Sequence, residues 1–353
     1  MARPARARGA KPSKPSGSLK KKAPARRRSG PLSGARPAQV VAPKVPQAER
    51  RARLEAVLDE SLTRAWGAVP VARGALGAVP VRVAALAKPR PFWHLRTHGL
   101  SASAGVEVAL RVPRGKDEAH LPAWVPGVVE RLALHAKDQA LAAGQVVRWP
   151  RPFGEGAQTE LEAFAIGLDP AFGTLSTPHD EVPVLLAVGI TADEERLVRE
   201  WSPSALLEVL ARVDPTLSTA LDRPSLLASP RARLAIEQRV EKEGSSMGVL
   251  QARVSTLDRG RAATTWTLDA DAAGAVVSLL KGRIGHQRPF VVRSSGLEVE
   301  LTPGDQPALS LDGARATLKL NQVTARQLRA TLKDRPGTYA WEALPNFTVE
   351  VVQ

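Results

Sequence analysis

The stretch Pro183-Val-Leu-Leu-Ala-Val-Gly-Ile-Thr191 is the part of this sequence that says most about its fold. Its apolar run has the length of a strand buried on both faces and is too short for a helix. Thr191 stands three residues before Glu194, a capping-box spacing that predicts a short helix directly after the strand. Ser202 and Pro203 then supply a cap and a first-turn proline for a second helix. The segment is therefore predicted to form a strand, two helices and a return loop.

The length and composition of the chain limit the classes of protein it can belong to. Its 353 residues are enough for two domains, each with its own core. It has no cysteine, which excludes disulfides, thiolate catalysis and cysteine-based metal sites. No apolar run approaches the roughly 20 residues of a membrane helix, and the basic N-terminus lacks the apolar core of a secretion signal. We expect a soluble, cytoplasmic protein that does not contact a membrane.

The net charge of +15 is concentrated at the N-terminus. Residues 1–48 hold 13 Lys and Arg and no Asp or Glu, whereas the rest of the chain holds 37 basic and 35 acidic residues. Because this segment has few large aliphatic side chains, residues 1–46 are predicted to be a disordered basic tail. The tail could contact nucleic acid non-specifically, or it could be a solubilising extension or the product of a start codon assigned too early. The sequence leaves these alternatives open.

Hydrophobic periodicity predicts further elements before the central segment. Leucines and Trp66 at three- and four-residue spacing indicate an amphipathic helix that ends at Gly67, and residues 68–89 are expected to be a Pro- and Gly-containing connector. Residues 106–112 alternate apolar side chains with Glu107 and Arg111, which predicts a half-exposed strand. Strands are also expected at residues 92–95, 146–149 and 161–168, and a helix between residues 124 and 144.

After the central segment, helices and short strands follow one another without strict alternation. Ser229 and Pro230 open a helix in which Leu234, Ala235 and Val240 are expected to face inward. Residues 249–257 are predicted to be one strand with residues 264–268 as its hairpin partner, and Asp269 is expected to cap the next helix. Thr324 and Gln327 have capping-box spacing. Short strands are expected at residues 289–293, 297–301, 309–311, 316–320 and 347–352.

This mixed order predicts an α+β fold with two lobes and a cleft between them. After the tail at 1–46, we expect an N-terminal lobe at residues 47–235 and a C-terminal lobe at residues 236–353.

Residue patterns that would support catalysis or cofactor binding are largely missing. The sequence contains no phosphate loop, dinucleotide fingerprint or nucleophile elbow. His94 and His98 are four residues apart, but they lie on a predicted strand and turn with no acidic ligand nearby in sequence, so packing roles are favoured over a metal site. Asp269 is favoured as a helix cap, and Asp222 with Arg223 as a structural ion pair. We therefore expect no enzyme activity, no cofactor and no metal.

Several motifs, taken together, resemble the Suppressor of fused domain family. Five lie in the central segment, four match the N-terminal lobe of that family in order, and three resemble the segment that joins its two lobes. These motifs are Pro183-Val-Leu-Leu-Ala-Val-Gly-Ile-Thr191, Asp193-Glu-Glu195, Trp201, Leu206-Leu-Glu-Val-Leu210, Thr219-Ala-Leu-Asp-Arg223, Trp93-His94, His98-Gly-Leu-Ser101, Val106-Glu-Val-Ala-Leu-Arg111, Pro122-Ala-Trp124, Arg239-Val240, Glu243-Gly-Ser-Ser246 and Gly248-Val249.

The resemblance implies a two-lobed α+β protein that is not an enzyme and that sequesters a protein partner. In animal members the partner is a zinc-finger transcription factor, whose short extended peptide is clamped between the lobes as an added strand. Bacterial members are often encoded near polymorphic toxins and are thought to act as immunity proteins. The Ala-, Arg- and Val-rich composition of this chain suggests a GC-rich bacterial genome, so an immunity or regulatory protein of a toxin–antitoxin type is the nearer expectation.

The resemblance also implies where a partner would bind. The clamp strands would be residues 146–149 on one lobe and residues 249–253 on the other. His135 and Gln145 stand where the animal proteins have an aromatic and an acidic residue in the cleft, and this departure argues against recognition of the same peptide. Arg148 and Arg253 would favour an acidic segment. The implied partner-binding residues are His135, Gln145, Val147, Arg148, Val249, Gln251 and Arg253.

Two other functions compete with this interpretation. The first is a nucleic-acid-associated protein that acts through residues 1–48. The second is an unrecognised hydrolase, for which the sequence offers no nucleophile–base constellation.

Overall fold

A computed structural model describes residues 46–148, 153, 158–178, 180–260 and 263–353 of the chain. The predicted tail, apart from its last residue, lies outside the described residues, as does Trp149 of the predicted clamp strand. Within the described part, the two-lobed α+β fold predicted from the sequence is confirmed. No helix there is both long and apolar enough to span a bilayer.

The N-terminal lobe is built on one mixed eight-stranded sheet. Its strand order is β1-β2-β3-β4-β8-β6-β5, with β7 paired to β8. The strands are β1 (Val71–Leu76), β2 (Val79–Leu86), β3 (Phe92–Thr97), β4 (Glu107–Pro113), β5 (Val146–Arg148), β6 (Leu161–Leu168), β7 (Thr174–Ser176) and β8 (Glu181–Thr191). The helices of this lobe are α1 (Gln47–Trp66), the short α2 (Ser101–Ala104), α3 (Val125–Gln139), α4 (Ala192–Glu200) and α5 (Pro203–Val213).

The central strand β8 is buried on both faces, as its apolar run predicts. Val184 and Leu186 pack into the core that also contains residues of α1, α4 and α5. Leu185 and Ala187 pack into the core on the other face, which α3 covers. The predicted helix starts are also confirmed, because Glu194 accepts the Thr191 N–H at 3.0 Å and the Ser202 hydroxyl accepts an N–H of α5.

Two predictions for the N-terminal lobe are wrong. The expected connector at residues 68–89 contains β1 and β2, an antiparallel hairpin whose turn uses Gly77 at φ 57°. Strand β4 is not half-exposed, because Glu107 and Arg111 are 0% and 3% exposed. The carboxylate of Glu107 accepts the backbone N–H groups of Gly99 and Ser101 at 2.9 and 3.1 Å, and Arg111 donates to the carbonyl of Thr216 at 2.9 Å. Internal partners therefore make these charged side chains compatible with burial.

Helix α6 (Pro230–Glu243) follows the N-terminal sheet and packs onto its core. The inward-facing residues are Ile236 and Val240, whereas Leu234 and Ala235 are exposed, so the predicted inward face is only partly correct. The predicted lobe boundary between residues 235 and 236 falls inside this helix.

The C-terminal lobe contains two smaller sheets that share one core. Their strand orders are β10-β11-β17-β16 and β14-β15-β13-β12-β9. The strands are β9 (Val249–Gln251), β10 (Ser255–Arg259), β11 (Thr264–Asp269), β12 (Phe290–Ser294), β13 (Leu297–Pro303), β14 (Ala308–Asp312), β15 (Arg315–Leu320), β16 (Gly337–Trp341) and β17 (Leu344–Val352). The helices are α7 (Ala270–Gly282) and α8 (Gln322–Thr331).

Asp269 explains why the predicted single strand at residues 249–257 is two strands in different sheets. One carboxylate oxygen of Asp269 accepts the backbone N–H groups of Arg253 and Val254, each at 3.0 Å, which holds a bend between β9 and β10. The other oxygen accepts the N–H of Ala272 at 3.0 Å and caps α7 as predicted. The predicted pairing of β10 with β11 is confirmed.

At α8 the predicted capping box is wrong. The cap is Asn321, whose side chain accepts the N–H of Thr324 at 2.8 Å, so the helix begins three residues earlier than Thr324 would place it.

Candidate functional site

Two short strands, β5 and β9, lie at the ends of their sheets. β5 ends the eight-stranded sheet and pairs with β6, and β9 ends the five-stranded sheet and pairs with β12. In the part of the chain that the structure describes, no strand pairs with the other side of either one. Such a free edge presents backbone N–H and C=O groups to which an extended segment can add.

The hydrogen bonds of β9 show which of its backbone groups face the open side. The carbonyl of Gly248 accepts the N–H of Val291 at 2.9 Å, and the N–H of Ala252 donates to the carbonyl of Arg293 at 2.9 Å. Since backbone groups alternate along a strand, the N–H and C=O of Val249 and Gln251 point to the open side. The side chain of Val249 is 45% exposed, and that of Gln251 is also exposed.

The same reasoning applied to β5 separates its backbone from its side chains. The carbonyl of Gln145 accepts the N–H of Ile166 at 2.9 Å, so Gln145 and Val147 face β6, and Val146 and Arg148 present their backbone groups on the open side. The side chain of Val147 is 2% exposed and lies in the core. A partner at this edge would meet the side chain of Arg148.

The two edges are connected through the start of α7. Arg148 Nη2 donates to Glu162 Oε2 at 3.1 Å, and its Nη1 lies 3.9 Å from Asp271 Oδ1 in the first turn of α7. Asp269, two residues earlier, holds the backbone of Arg253 directly after β9. Arg148 of the N-terminal lobe and Arg253 of the C-terminal lobe therefore flank the same helix start.

The charges around this helix start are nearly balanced. The side chain of Arg253 is 73% exposed, with Nη2 3.8 Å from Asp269 Oδ1. Two arginines are thus matched by the carboxylates of Glu162, Asp269 and Asp271. This balance weakens the expectation that the arginines select a strongly acidic segment.

The remaining two predicted residues are His135 on α3 and Gln145 directly before β5. His135 is half-buried on α3, and burial lowers its pKa against a smaller opposing effect of Asp138. Gln145 is exposed, and its side-chain oxygen accepts the N–H of Ala142 at 3.0 Å, so it closes the turn that leads into β5.

Sequence reasoning missed a buried group of charged side chains in the N-terminal lobe. His94 was expected to have no acidic neighbour, but its Nε2 lies 3.6 Å from Asp169 Oδ2. Asp169 forms an ion pair with Arg111, and all three residues are buried. Asp169 is 75 residues away from His94 in sequence, so no local pattern indicates the contact.

Burial and charge together fix the protonation of this group. Burial lowers the pKa of His94, although Asp169 opposes the shift. Burial by itself raises the pKa of Asp169, but His94 and Arg111 lower it overall. The group therefore holds a neutral imidazole beside a carboxylate–guanidinium pair. Among the residues described, no group of three or more His, Asp or Glu side chains is placed to hold a metal ion.

Comparison with known proteins finds a family match over part of the chain and a similar fold over most of it. Residues 77–224 match the family model described as Suppressor of fused protein (SUFU). The chain is similar to the crystal structure of Drosophila Suppressor of Fused, with a TM-score of 0.64 and 15% identity over 85% of this chain and 96% of that one. A search of curated proteins finds no match.

Two further structures are similar over about half of this chain. A chain of the Sufu–Fu complex crystal structure has a TM-score of 0.43 and 17% identity over 52% of this chain and 96% of that one. A SUFU homolog from Neisseria gonorrhoeae has a TM-score of 0.35 and 18% identity over 49% of this chain and 96% of that one.

The resemblance to the Suppressor of fused family is thus confirmed over residues 77–224, which match the model of that family. The similarity to the Drosophila protein extends the shared fold to most of the chain.

Proposed function

We propose that this chain is a non-enzymatic binding protein that holds an extended segment of a partner protein between β5 and β9. The observation that carries this proposal is the pair of strand edges, one from each lobe, that flank the start of α7. The family match supports protein binding as the general function.

Main-chain hydrogen bonds supply the affinity in this binding mode. The open backbone groups of Val249 and Gln251 on one side, and of Val146 and Arg148 on the other, would pair with the added segment. Val147 contributes only by keeping β5 in the sheet, because its side chain is in the core.

Exposed side chains select the partner. Val249, Gln251 and Arg253 lie beside one edge, and Arg148 and Gln145 beside the other, whereas His135 lies on α3. Because nearby carboxylates offset the arginines, a partner segment of mixed charge fits this surface better than a strongly acidic one. A cytoplasmic immunity or regulatory protein that masks a toxin or regulator is the role we assign to this binding.

Proline substitutions on β9 test the proposal, with the product of a neighbouring toxin-like gene as the binding partner. Val249→Pro and Gln251→Pro each remove an N–H from the open side and leave the pairing with β12 intact. We expect binding to weaken at least about tenfold in each, which corresponds to about 1.4 kcal/mol, with little change in melting temperature. Leu250→Pro is the matched control on the paired side, and it should lower the melting temperature.

A side-chain control separates the loss of the backbone N–H from the change of the side chain. Val249→Thr keeps the N–H and should bind nearly as the native chain does. If Val249→Pro and Gln251→Pro fold normally and bind with native affinity, the proposed binding mode is wrong.

A second candidate function comes from the charge distribution. Residues 1–48 carry 13 basic and no acidic residues, so we also consider non-specific contact with nucleic acid through this segment. Such binding would fall steeply with salt and would disappear when residues 1–48 are deleted. Salt-insensitive or absent binding would eliminate this candidate.

A further inference from the structure

A cavity of about 360 Å³ lies between α6 of the N-terminal side and α7 and α8 of the C-terminal lobe. It is within the size range of small-molecule sites. Its inner wall includes Leu280 and Val240, both buried, together with Gly282 and Gly285. The cavity borders Lys281, which is ten residues beyond Asp271 on α7. The cavity therefore lies about 15 Å along that helix from Asp271, which is next to the strand edges of the proposed binding site.

Two arginines of α8 line this cavity. Arg326 and Arg329 are exposed and three residues apart, so they lie on one face of the helix. Neither has an acidic partner within the described residues, unlike the exposed Arg64 and Arg148, which pair with Glu60 and Glu162. Two guanidinium groups on one helix face, neither paired with a carboxylate, favour binding of an anion.

The other charged groups of the cavity do not cancel this preference. Lys281 is already paired with Glu200, so neither contributes a free charge. Glu241 faces the cavity from α6, and His286 lies beside the end of α7. Apart from His286, the unpaired charged side chains are the two arginines of α8 and Glu241 of α6, which leave one net positive charge.

We propose that this cavity binds a small molecule that carries a phosphate group, with Arg326 and Arg329 as the residues that recognise it. Guanidinium groups bind phosphate oxygens through two parallel hydrogen bonds, a geometry that a lysine ammonium cannot provide. The apolar inner wall leaves room for the uncharged part of the ligand. Because its walls come from both lobes, a ligand here would contact α6 and α8 at once.

Thermal unfolding of the full chain in sodium pyrophosphate, at constant ionic strength, tests this proposal. We expect pyrophosphate to raise the melting temperature of the native chain in a saturable manner. The double variant Arg326→Gln/Arg329→Gln should have at least about tenfold weaker apparent affinity, because both guanidinium groups that would bind the phosphate oxygens are lost. Glu241→Gln should tighten binding, since it removes the opposing charge.

Arg231→Gln is the matched control, because Arg231 is exposed at the start of α6 and is not part of the cavity. It should respond to pyrophosphate as the native chain does. The proposal is overturned if the native chain shows no saturable response, or if the double variant and the control respond alike, because the effect would then be one of general surface charge.

Discussion

The interiors of the two lobes differ in chemistry, although both are closed around apolar cores. The N-terminal lobe buries arginines, histidines and carboxylates among its strands, including Arg96, Arg111 and Glu107. In the C-terminal lobe, Asp269 is the charged side chain that is buried among the residues described. The N-terminal lobe therefore buries charges that have internal partners, whereas the C-terminal lobe buries one carboxylate that holds a bend and a helix start.

The largest expected effect is in the N-terminal lobe. Asp169→Ala leaves the buried guanidinium of Arg111 without its carboxylate, and removal of one partner of a buried pair costs about 3–5 kcal/mol. Urea unfolding should show this loss, whereas Asp117→Ala in an exposed loop should change stability little. A loss below about 1 kcal/mol, the range of exposed pairs, would mean that the buried charges are not what distinguishes this lobe.

A smaller loss is expected from the corresponding carboxylate of the C-terminal lobe. Asp269→Ala removes the cap of α7 and the acceptor of two backbone N–H groups, for which we expect a loss of about 2–3 kcal/mol. Asp258 is exposed on β10, so Asp258→Ala is the control for the loss of a carboxylate that does not make these hydrogen bonds. Equal stability of Asp269→Ala and Asp258→Ala would contradict the role given to Asp269.

The smallest expected effect is a pH dependence specific to the N-terminal lobe. Burial lowers the pKa of His94, so as the pH falls through about 6.5 the unfolded chain takes up a proton that the folded chain does not. Stability is therefore lost on acidification, by no more than about 1.4 kcal/mol per pH unit for this one residue.

Urea unfolding of His94→Gln as a function of pH measures that contribution. The slope should decrease but not vanish, because burial also lowers the pKa of His98 and of His135. The exposed His120 provides the control substitution His120→Gln. If His94→Gln keeps the full native slope, the imidazole of His94 is not the group that titrates.

Prediction from the sequence succeeded where the pattern was local. Strand β6, the pairing of β10 with β11 and the cap of α7 by Asp269 were each found, because periodicity, turn residues and cap residues lie within a few positions of one another. It found β4 but failed for the burial of this strand, since alternation of charged and apolar residues normally marks a strand with one face in solvent. The partners that allow Glu107 and Arg111 to be buried come from other elements.

The candidate site was predictable only in part. The sequence placed short strands at both clamp positions, and the resemblance to the family supplied the idea that they form one site. Neither the sequence nor the resemblance showed that the side chain of Val147 is in the core, or that Asp271 lies next to Arg148. Arg223 likewise bonds to Glu194 and not to its neighbour Asp222, because the return loop folds back on α4.

By itself, the sequence determined the central module of β8, α4 and α5, because a continuous apolar run and two helix caps encode those elements locally. Only the tertiary structure decided which charged residues are buried and which strands end their sheets. Both depend on pairing between segments far apart in the chain, as between Arg111 and Asp169 or between β9 and β12. Such contacts produce no periodic pattern in the sequence.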